Sequence, residues 1–376
     1  MSPAPQPPER PTALTDLPRL IQGVARSFAL SLLCLPGGMR TPVGLAYVLA
    51  RASDTVADSM DEGARDPDRR TARRRALDAL QGAIRASAQE PPLTSGLLGP
   101  SIADLGPVPK ADEQRLLHQL DALVAGLRLL PAGDRRRIAD VCDTIVAGQR
   151  LDLQRFDHGA GELHALALSA ELVDYTWRVA GCVGHFWSAS CEAHVPLWRT
   201  RPLDAMMADG ARFGMGLQRL NLLRDTHQDL TLGRCYWPIE ELDRVGLTPH
   251  ALAQAVHARD AKALQAMRPL MAHWIEQARA DLSHGIAYTV SVRPVRLRWA
   301  CALPALLGLQ TLRAIEHLGP LALTQSVKVP RTWVYRLLLR LALGGLRPSA
   351  LQRLALHLGA TPSGVAGLVD NGTMVA

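Results

Sequence analysis

Alternating runs of β-branched and aromatic residues, the mark of a strand, are nearly missing from this sequence. Aromatic residues make up only 4% of it, while Ala, Leu, Arg, Gln and Glu dominate, the residues that lose least on entering a helix. The chain is therefore expected to be almost entirely α-helical. Helices are expected over 17–35, 41–58, 69–88, 111–129, 134–156, 162–178, 179–192, 202–230, 238–244, 248–258, 260–289, 295–317 and 330–343. No Gly-rich phosphate loop follows a strand and no repeat of 20 to 50 residues is visible, which excludes dinucleotide-fold, P-loop and solenoid architectures. What remains is one large helical bundle with polar groups projecting inward.

The 376 residues are 48% apolar and 20% charged, a globular composition that excludes disorder and collagen. At roughly 150 residues per domain the length suggests two to three domains, but a large all-helical enzyme can occupy it as one. The expected organisation is a disordered Pro-rich leader over 1–16, one helical domain over 17–345, and an amphipathic or disordered tail over 346–376. Between Pro91 and Pro109 lie five prolines and three glycines, which read as a surface excursion outside the core. The six cysteines are far apart, form no CxxC pair and read as reduced, buried thiols. Without an apolar export signal at the start, the expected compartment is cytoplasmic. No window reaches the ~18 apolar residues of a membrane span; the best candidate, Trp333 to Leu346, is broken by Arg336 and Arg340. It is at most an amphipathic helix docked on the inner face of a membrane. The net charge of +7 attracts nucleic acid, membranes and anionic small molecules alike. The RRR runs at 73–75 and 135–137 are too short for a nucleic-acid patch and read as solvated helix faces, so no nucleic-acid partner is expected.

Two polar stripes carry the chemistry. Tyr47, Arg51, Asp54 and Asp58 are spaced by four, three and four residues, which puts them on one helical face among small and apolar neighbours. Two carboxylates one turn apart repel unless a cation lies between them or they face water. Magnesium, which bridges carboxylates to substrate phosphates, fits the pair; an exposed helix on which Arg51 pairs with Asp54 fits it too. The second stripe is Gln218, Asn221, Asp225 and Asp229, with Arg219 and Arg224 flanking it. Its amides can donate to phosphate oxygens or hold a metal's water, and its carboxylates repeat the first pair. On two helices of one bundle, such stripes suit a ligand with a metal-bound diphosphate head and an apolar tail. Leu220, Leu222 and Leu223 read as ordinary core contacts.

The sequence resembles the squalene and phytoene synthases from about Ala25 to Leu343. The resemblance rests on RSFALSLLCLP (26–36), YVLARASDTVADSM (47–60), CDTIVAGQRLDLQRF (142–156), YTWRVAGCVG (175–184), LQRLNLLRDTHQDLTLGRCYWP (217–238) and VKVPR (327–331). It implies an all-α bundle of the class I isoprenoid synthase type with a central cavity. It implies further that Asp54, Asp58, Asp225 and Asp229, with Asn221, hold Mg²⁺ or Mn²⁺ on the diphosphates of two prenyl substrates. Arg51, Gln218 and Asn221 match the family's diphosphate and metal-shell positions, and Tyr47 and Arg224 stand beside them. Tyr175 matches the tyrosine that assists ionisation and proton handling. Phe28, Phe156, Phe186 and Phe213 fall inside or beside the matching runs, where their π faces would stabilise a carbocation or simply fill the core. One departure is Ser59, where many squalene synthases carry a further acidic residue after the first motif.

Within the family, Tyr236-Trp237-Pro238 and the segment at 327–331 resemble squalene synthases more than phytoene synthases. The implied reaction is condensation of two farnesyl diphosphates through presqualene diphosphate and reduction by NADPH to squalene. Lys328 and Arg331 would then meet a cofactor phosphate; capping or flanking a helix is the alternative for both. Phytoene or dehydrosqualene synthesis, the same condensation without reduction, is the alternative product reading. A scaffold relative without activity and a terpene cyclase are the rivals in other classes. Peripheral membrane contact would serve release of a hydrocarbon product. Chain length of the substrate and oligomeric state are not legible in the sequence.

Overall fold

The computed structural model describes residues 12–25, 28–57, 67–92, 98–106, 108, 110–156 and 162–362. They divide into two compact units, one of Met1–Leu33 with Gly37–Val146 and one of Cys34–Pro36 with Ala147–Ala376.

The first unit holds α1 (Thr12–Ala25), α2 (Phe28–Leu33), α3 (Gly37–Ala57), α4 (Pro67–Ala88), α5 (Gly99–Ala103), α6 (Ala111–His118) and α7 (Leu120–Leu127). Its central element is α3, which lies against α1, α4, α6 and α7. Leu45, Val48, Leu49, Ala52 and Val56 recur at helical spacing, and all five are fully buried. That apolar stripe turns Tyr47, Arg51 and Asp54 to another face.

Helix α8 (Ala132–Phe156) contributes residues to both units. The second unit continues with β1 (His164–Ala165), α9 (Ser169–Thr176), a π-helical turn at Trp177–Gly181, α10 (Cys182–His194), α11 (Leu203–Thr231) and β2 (Arg234–Cys235). After these come α12 (Ile239–Asp243), α13 (Pro249–Ala258), α14 (Arg268–Ser291), α15 (Val295–Leu318), α16 (Arg331–Arg340) and α17 (Pro348–His357). The centre of this unit is α11, packed on α10, α14 and α15. A Cβ on Gly184 of α10 would stand 2.0 Å from the carbonyl oxygen of Gly210 on α11, so the two backbones meet where no side chain fits. The Trp237 and Trp274 rings stack 3.8 Å apart, joining the segment after β2 to α14.

Several expectations from the sequence are corrected here. The segment 162–178 is not one helix: it starts with β1, which pairs in parallel with β2, and α9 begins only at Ser169. The expected helix over 111–129 breaks into α6 and α7 at Gln119. The Pro91 to Pro109 excursion is not a bare surface loop. It carries α5, and it buries Leu98, Ile102, Leu105 and Val108, because apolar residues between the prolines still reach the core. The RRR runs are not wholly solvated either, since Arg73 and Arg135 are buried; Arg135 donates to the carbonyls of Leu130 at 2.8 Å and Gln89 at 3.3 Å. All six cysteines are free and five are buried. Burial pushes the thiols of Cys182, Cys235 and Cys301 up to about 12, which keeps them protonated and unreactive. Among the described residues no helix is long and apolar enough to cross a membrane.

Candidate active site

In the first unit, α3 presents Arg51 with Asp54 and Tyr47 beside it. Arg51 Nη2 donates to Glu113 Oε1 of α6 at 2.5 Å, while its Nη1 stands 4.0 Å from Asp54 Oδ2. The sequence suggested Asp54 as the partner of Arg51; the closer one is Glu113, 62 residues away and also held by Lys110 Nζ at 3.0 Å. Burial alone would raise the Glu113 carboxyl, but the hydrogen bonds from Lys110 and Arg51 hold it below its ordinary range. Burial likewise opposes the charge on Arg51, and the fields of Asp54 and Glu113 outweigh it, so the guanidinium stays ionised. Arg51 is thus aimed by a carboxylate behind it, and the Asp54 side chain is 45% exposed. Asp58 lies outside the described residues, and so does the side chain of Phe28.

In the second unit, Gln218, Asn221, Asp225 and Asp229 share the half-buried face of α11, as their spacing predicts. The rest of that helix is walled in: Leu220, Leu222, Leu223, Thr226 and Leu230 are buried. The two flanking arginines part company. Arg224 grips Asp225 in a two-pronged pair, Nε to Oδ1 at 2.8 Å and Nη2 to Oδ2 at 2.5 Å. Arg219 turns instead into the core and pairs with Asp281 of α14 at 2.5 Å, a correction to its reading as a residue flanking the stripe. Asp281 also accepts from Arg212, whose Nη1 lies 2.7 Å from the Nε2 of His284. Because guanidinium only donates, that nitrogen of His284 is the acceptor, and its Nδ1–H donates to Asp209 at 2.7 Å.

The turn after α11 brings a second group to the site. Gly233 takes a φ of +79° and approaches Glu162, where a Cβ would come within 2.7 Å of the carbonyl oxygen. This close turn lets β2 pair with β1, His164 N–H donating to Gly233 O at 3.0 Å and Leu166 N–H to Cys235 O at 3.1 Å. Tyr236 is thereby laid on Tyr175, ring centroids 5.0 Å apart and planes 26° from parallel, with Phe156 edge-on at 5.0 Å. The Tyr236 hydroxyl donates to Asp152 Oδ2 of α8 at 2.5 Å. Burial first, then the negative fields of Asp152 and Asp229, raise the Tyr236 hydroxyl well above the usual tyrosine range, so it remains a donor. Tyr175 itself is buried on α9, whose start is fixed by Glu171 accepting from the N–H groups of Ala167 and Leu168 at 2.7 and 3.2 Å. The π-helical turn directly after Tyr175 is a feature often found at functional sites.

Sequence reasoning missed Glu113, Asp152 and Tyr236 as site residues. Asp152 and Tyr236 lie inside the quoted runs, but nothing in their spacing links two residues 84 positions apart. Lys328 is exposed just before α16 and Arg331 is its exposed first residue; both flank the helix start, whose N-cap is Pro330, and neither caps it. Among the described residues, no three His, Cys, Asp or Glu side chains gather as a closed metal-binding set.

The family model for squalene/phytoene synthase matches residues 21–333. The chain belongs to this family. A 15-cis-phytoene synthase of Synechocystis is 31% identical over 150 residues, a stretch that covers 36% of this chain and 42% of that protein. The fold is similar to that of TcSQS in complex with the ligand BPH1237, at a TM-score of 0.71 and 20% identity, over 96% of this chain and 94% of that one. Squalene synthase HpnC from Alicyclobacillus acidocaldarius follows at a TM-score of 0.57 and 23% identity, over 84% and 97%. Identities this low speak for the fold alone. The family match adds that both polar stripes and Tyr175 fall inside the matched residues.

Proposed function

We propose that this chain is a prenyl transferase that joins two farnesyl diphosphates head to head and, with NADPH, forms squalene. The observation that carries the reading is the half-buried stripe Gln218, Asn221, Asp225 and Asp229, whose last carboxylate helps to raise the hydroxyl of Tyr236, the ring stacked on Tyr175. Oxygen donors one turn apart, in an open set, fit Mg²⁺ or Mn²⁺ arriving with its diphosphate, because such ions keep water and phosphate oxygens in their shell. Asp54, Asp58, Asn221, Asp225 and Asp229 would hold the metal, which supplies charge neutralisation for the leaving diphosphate.

The C1–O bond of one substrate breaks and its electron pair leaves on the diphosphate. Arg51, Gln218 and Asn221 would donate hydrogen bonds to that growing charge, and Arg224, paired with Asp225, would add its positive field beside them. The allylic cation is attacked by the C2–C3 double bond of the second substrate, and loss of one proton closes the cyclopropane of presqualene diphosphate. Tyr175 handles that proton, its ring held by Tyr236 and so indirectly by Asp152. Phe156, edge-on to Tyr236, would offer the cation a π face that water does not, a role the resemblance extends to Phe28 and Tyr47. Departure of the second diphosphate, rearrangement and hydride transfer then give squalene. NADPH supplies that hydride, and Lys328 and Arg331 would bind its phosphates.

A second reading, phytoene synthesis from the longer geranylgeranyl diphosphate without reduction, is favoured by the identity to the 15-cis-phytoene synthase. Purified protein incubated with each diphosphate, with and without NADPH, separates the two. Squalene from farnesyl diphosphate that requires NADPH supports the first reading, and phytoene formed without NADPH supports the second. No hydrocarbon from either would mark a scaffold relative. Asp54→Asn and Asp225→Asn are each expected to lower kcat by about a hundredfold or more, since each removes several kcal/mol of charge stabilisation. Unchanged turnover in either would sink the metal assignment.

A further inference from the structure

The end of α16, the turn after it and α17 form a surface that condensation chemistry does not use. From His317 to Pro362 the sequence has no aspartate or glutamate, but it has Lys328, Arg331, Arg336, Arg340, Arg347 and Arg353. The net charge of the whole chain is +7, so this stretch holds nearly all of the excess. Residues from Val334 onward also lie past the part of the chain matched by the family model.

Helix α16 rests on the core through Leu337, and Leu341 follows it in, at 4% and 1% exposure. Its outer side is apolar as well. Tyr335, Leu339 and Leu343 recur every four residues at 65%, 61% and 79% exposure, while Arg336 and Arg340 run alongside them in the open. Gly344, at a φ of +104°, ends the helical path and turns the chain into α17. The result is a hollow lined by Arg336, Leu339, Arg340, Leu343, Arg347 and Arg353. Among the described residues none of these four arginines has a carboxylate partner. Like charges gathered around one hollow repel each other until an anion enters it, and exposed leucines beside them gain by leaving water. A basic and apolar face on a helix of ten residues, too short to span a bilayer, has the makeup of one that lies in the lipid interface.

We propose that this face seats the protein on an anionic phospholipid surface, headgroup phosphates entering the arginine-lined hollow and Tyr335, Leu339 and Leu343 dipping among the upper acyl chains. Its charge complementarity selects lipid over an apolar partner, and the inference stands independently of which product the enzyme makes.

Co-sedimentation of the full chain with phosphatidylcholine vesicles, with and without phosphatidylglycerol, tests it. Binding to the phosphatidylglycerol vesicles is expected to be at least about tenfold tighter and to fall with salt. Arg336→Gln and Arg340→Gln should each weaken it about fivefold, an effect confined to the anionic vesicles. Leu339→Ser with Leu343→Ser should weaken it about tenfold or more at any salt. Turnover in detergent should be unchanged in all three variants, which also reports that they fold. Equal binding to both vesicle types, variants that bind like the parent, or no vesicle binding at all would overturn the proposal. A chain that is dimeric until Leu339 and Leu343 become serine would also overturn it, assigning the face to a second copy.

Discussion

Tyr236→Phe removes one oxygen from the site and leaves the aromatic stack in place, so it separates what the hydroxyl does from what the ring does. The lost hydrogen bond is 2.5 Å long and ends on the carboxylate of Asp152. A hydrogen bond to a charged group contributes about 1.5–3 kcal/mol, and the half-buried carboxylate gains little from water in exchange, so the variant should lose about that much stability. Tyr236→Leu loses the same bond and two ring contacts, to Tyr175 and Phe156, each worth about 0.5–1.5 kcal/mol, for a further loss of about 1–3 kcal/mol. Urea unfolding of both variants gives these differences. Kinetics should split in the same way: if the ring positions Tyr175, kcat falls modestly in Tyr236→Phe and a further tenfold or more in Tyr236→Leu, with KM little changed. Equal kcat in the two variants, or a Tyr236→Phe protein as stable as the parent, would refute the reasoning. The hydroxyl's pKa is raised in the folded chain, so its contribution is complete below the ordinary tyrosine value near 10 and is lost as pH rises above it.

Three other outcomes follow from the geometry. Asp281→Asn strands the buried guanidinium of Arg219 and should cost about 3–5 kcal/mol in urea unfolding, whereas Arg219→Met with Asp281→Leu should recover most of that loss. Glu113 is held below its ordinary value of 4.5, so its stabilising effect is complete above that pH and is lost as pH falls through the folded value. Glu113→Gln should therefore flatten the acid limb of the stability curve, which thermal melts between pH 3 and 6 would measure; an unchanged limb would contradict the pairing with Arg51 and Lys110. Gly184→Ala puts a methyl group into the carbonyl of Gly210 and should destabilise by about 1–3 kcal/mol, read by chemical unfolding, because neither backbone has room to move.

Much of the site was legible one helix at a time. The spacing of Gln218, Asn221, Asp225 and Asp229 placed them on one face, and the structure agrees, because helical periodicity is a property of neighbouring residues. The leucines between them were readable as core for the same reason. What failed was pairing at a distance. Arg219 and Arg224 are both next to the stripe in sequence, yet one turns to Asp281 and the other to Asp225. Arg73 and Arg135 looked solvated because charge runs usually are, yet both are buried, Arg135 where the carbonyls of Leu130 and Gln89 receive it.

Composition and periodicity alone decided that this chain is helical and where its polar stripes fall, since each depends on residues within a few turns of one another. The tertiary structure alone decided that Arg51 leans on Glu113, that Tyr236 bonds Asp152 beneath Tyr175, and that an arginine-lined hollow opens beside exposed leucines after α16. These contacts join positions as many as 84 residues apart, and which faces meet at that range is set by how whole helices pack, an outcome no local pattern encodes.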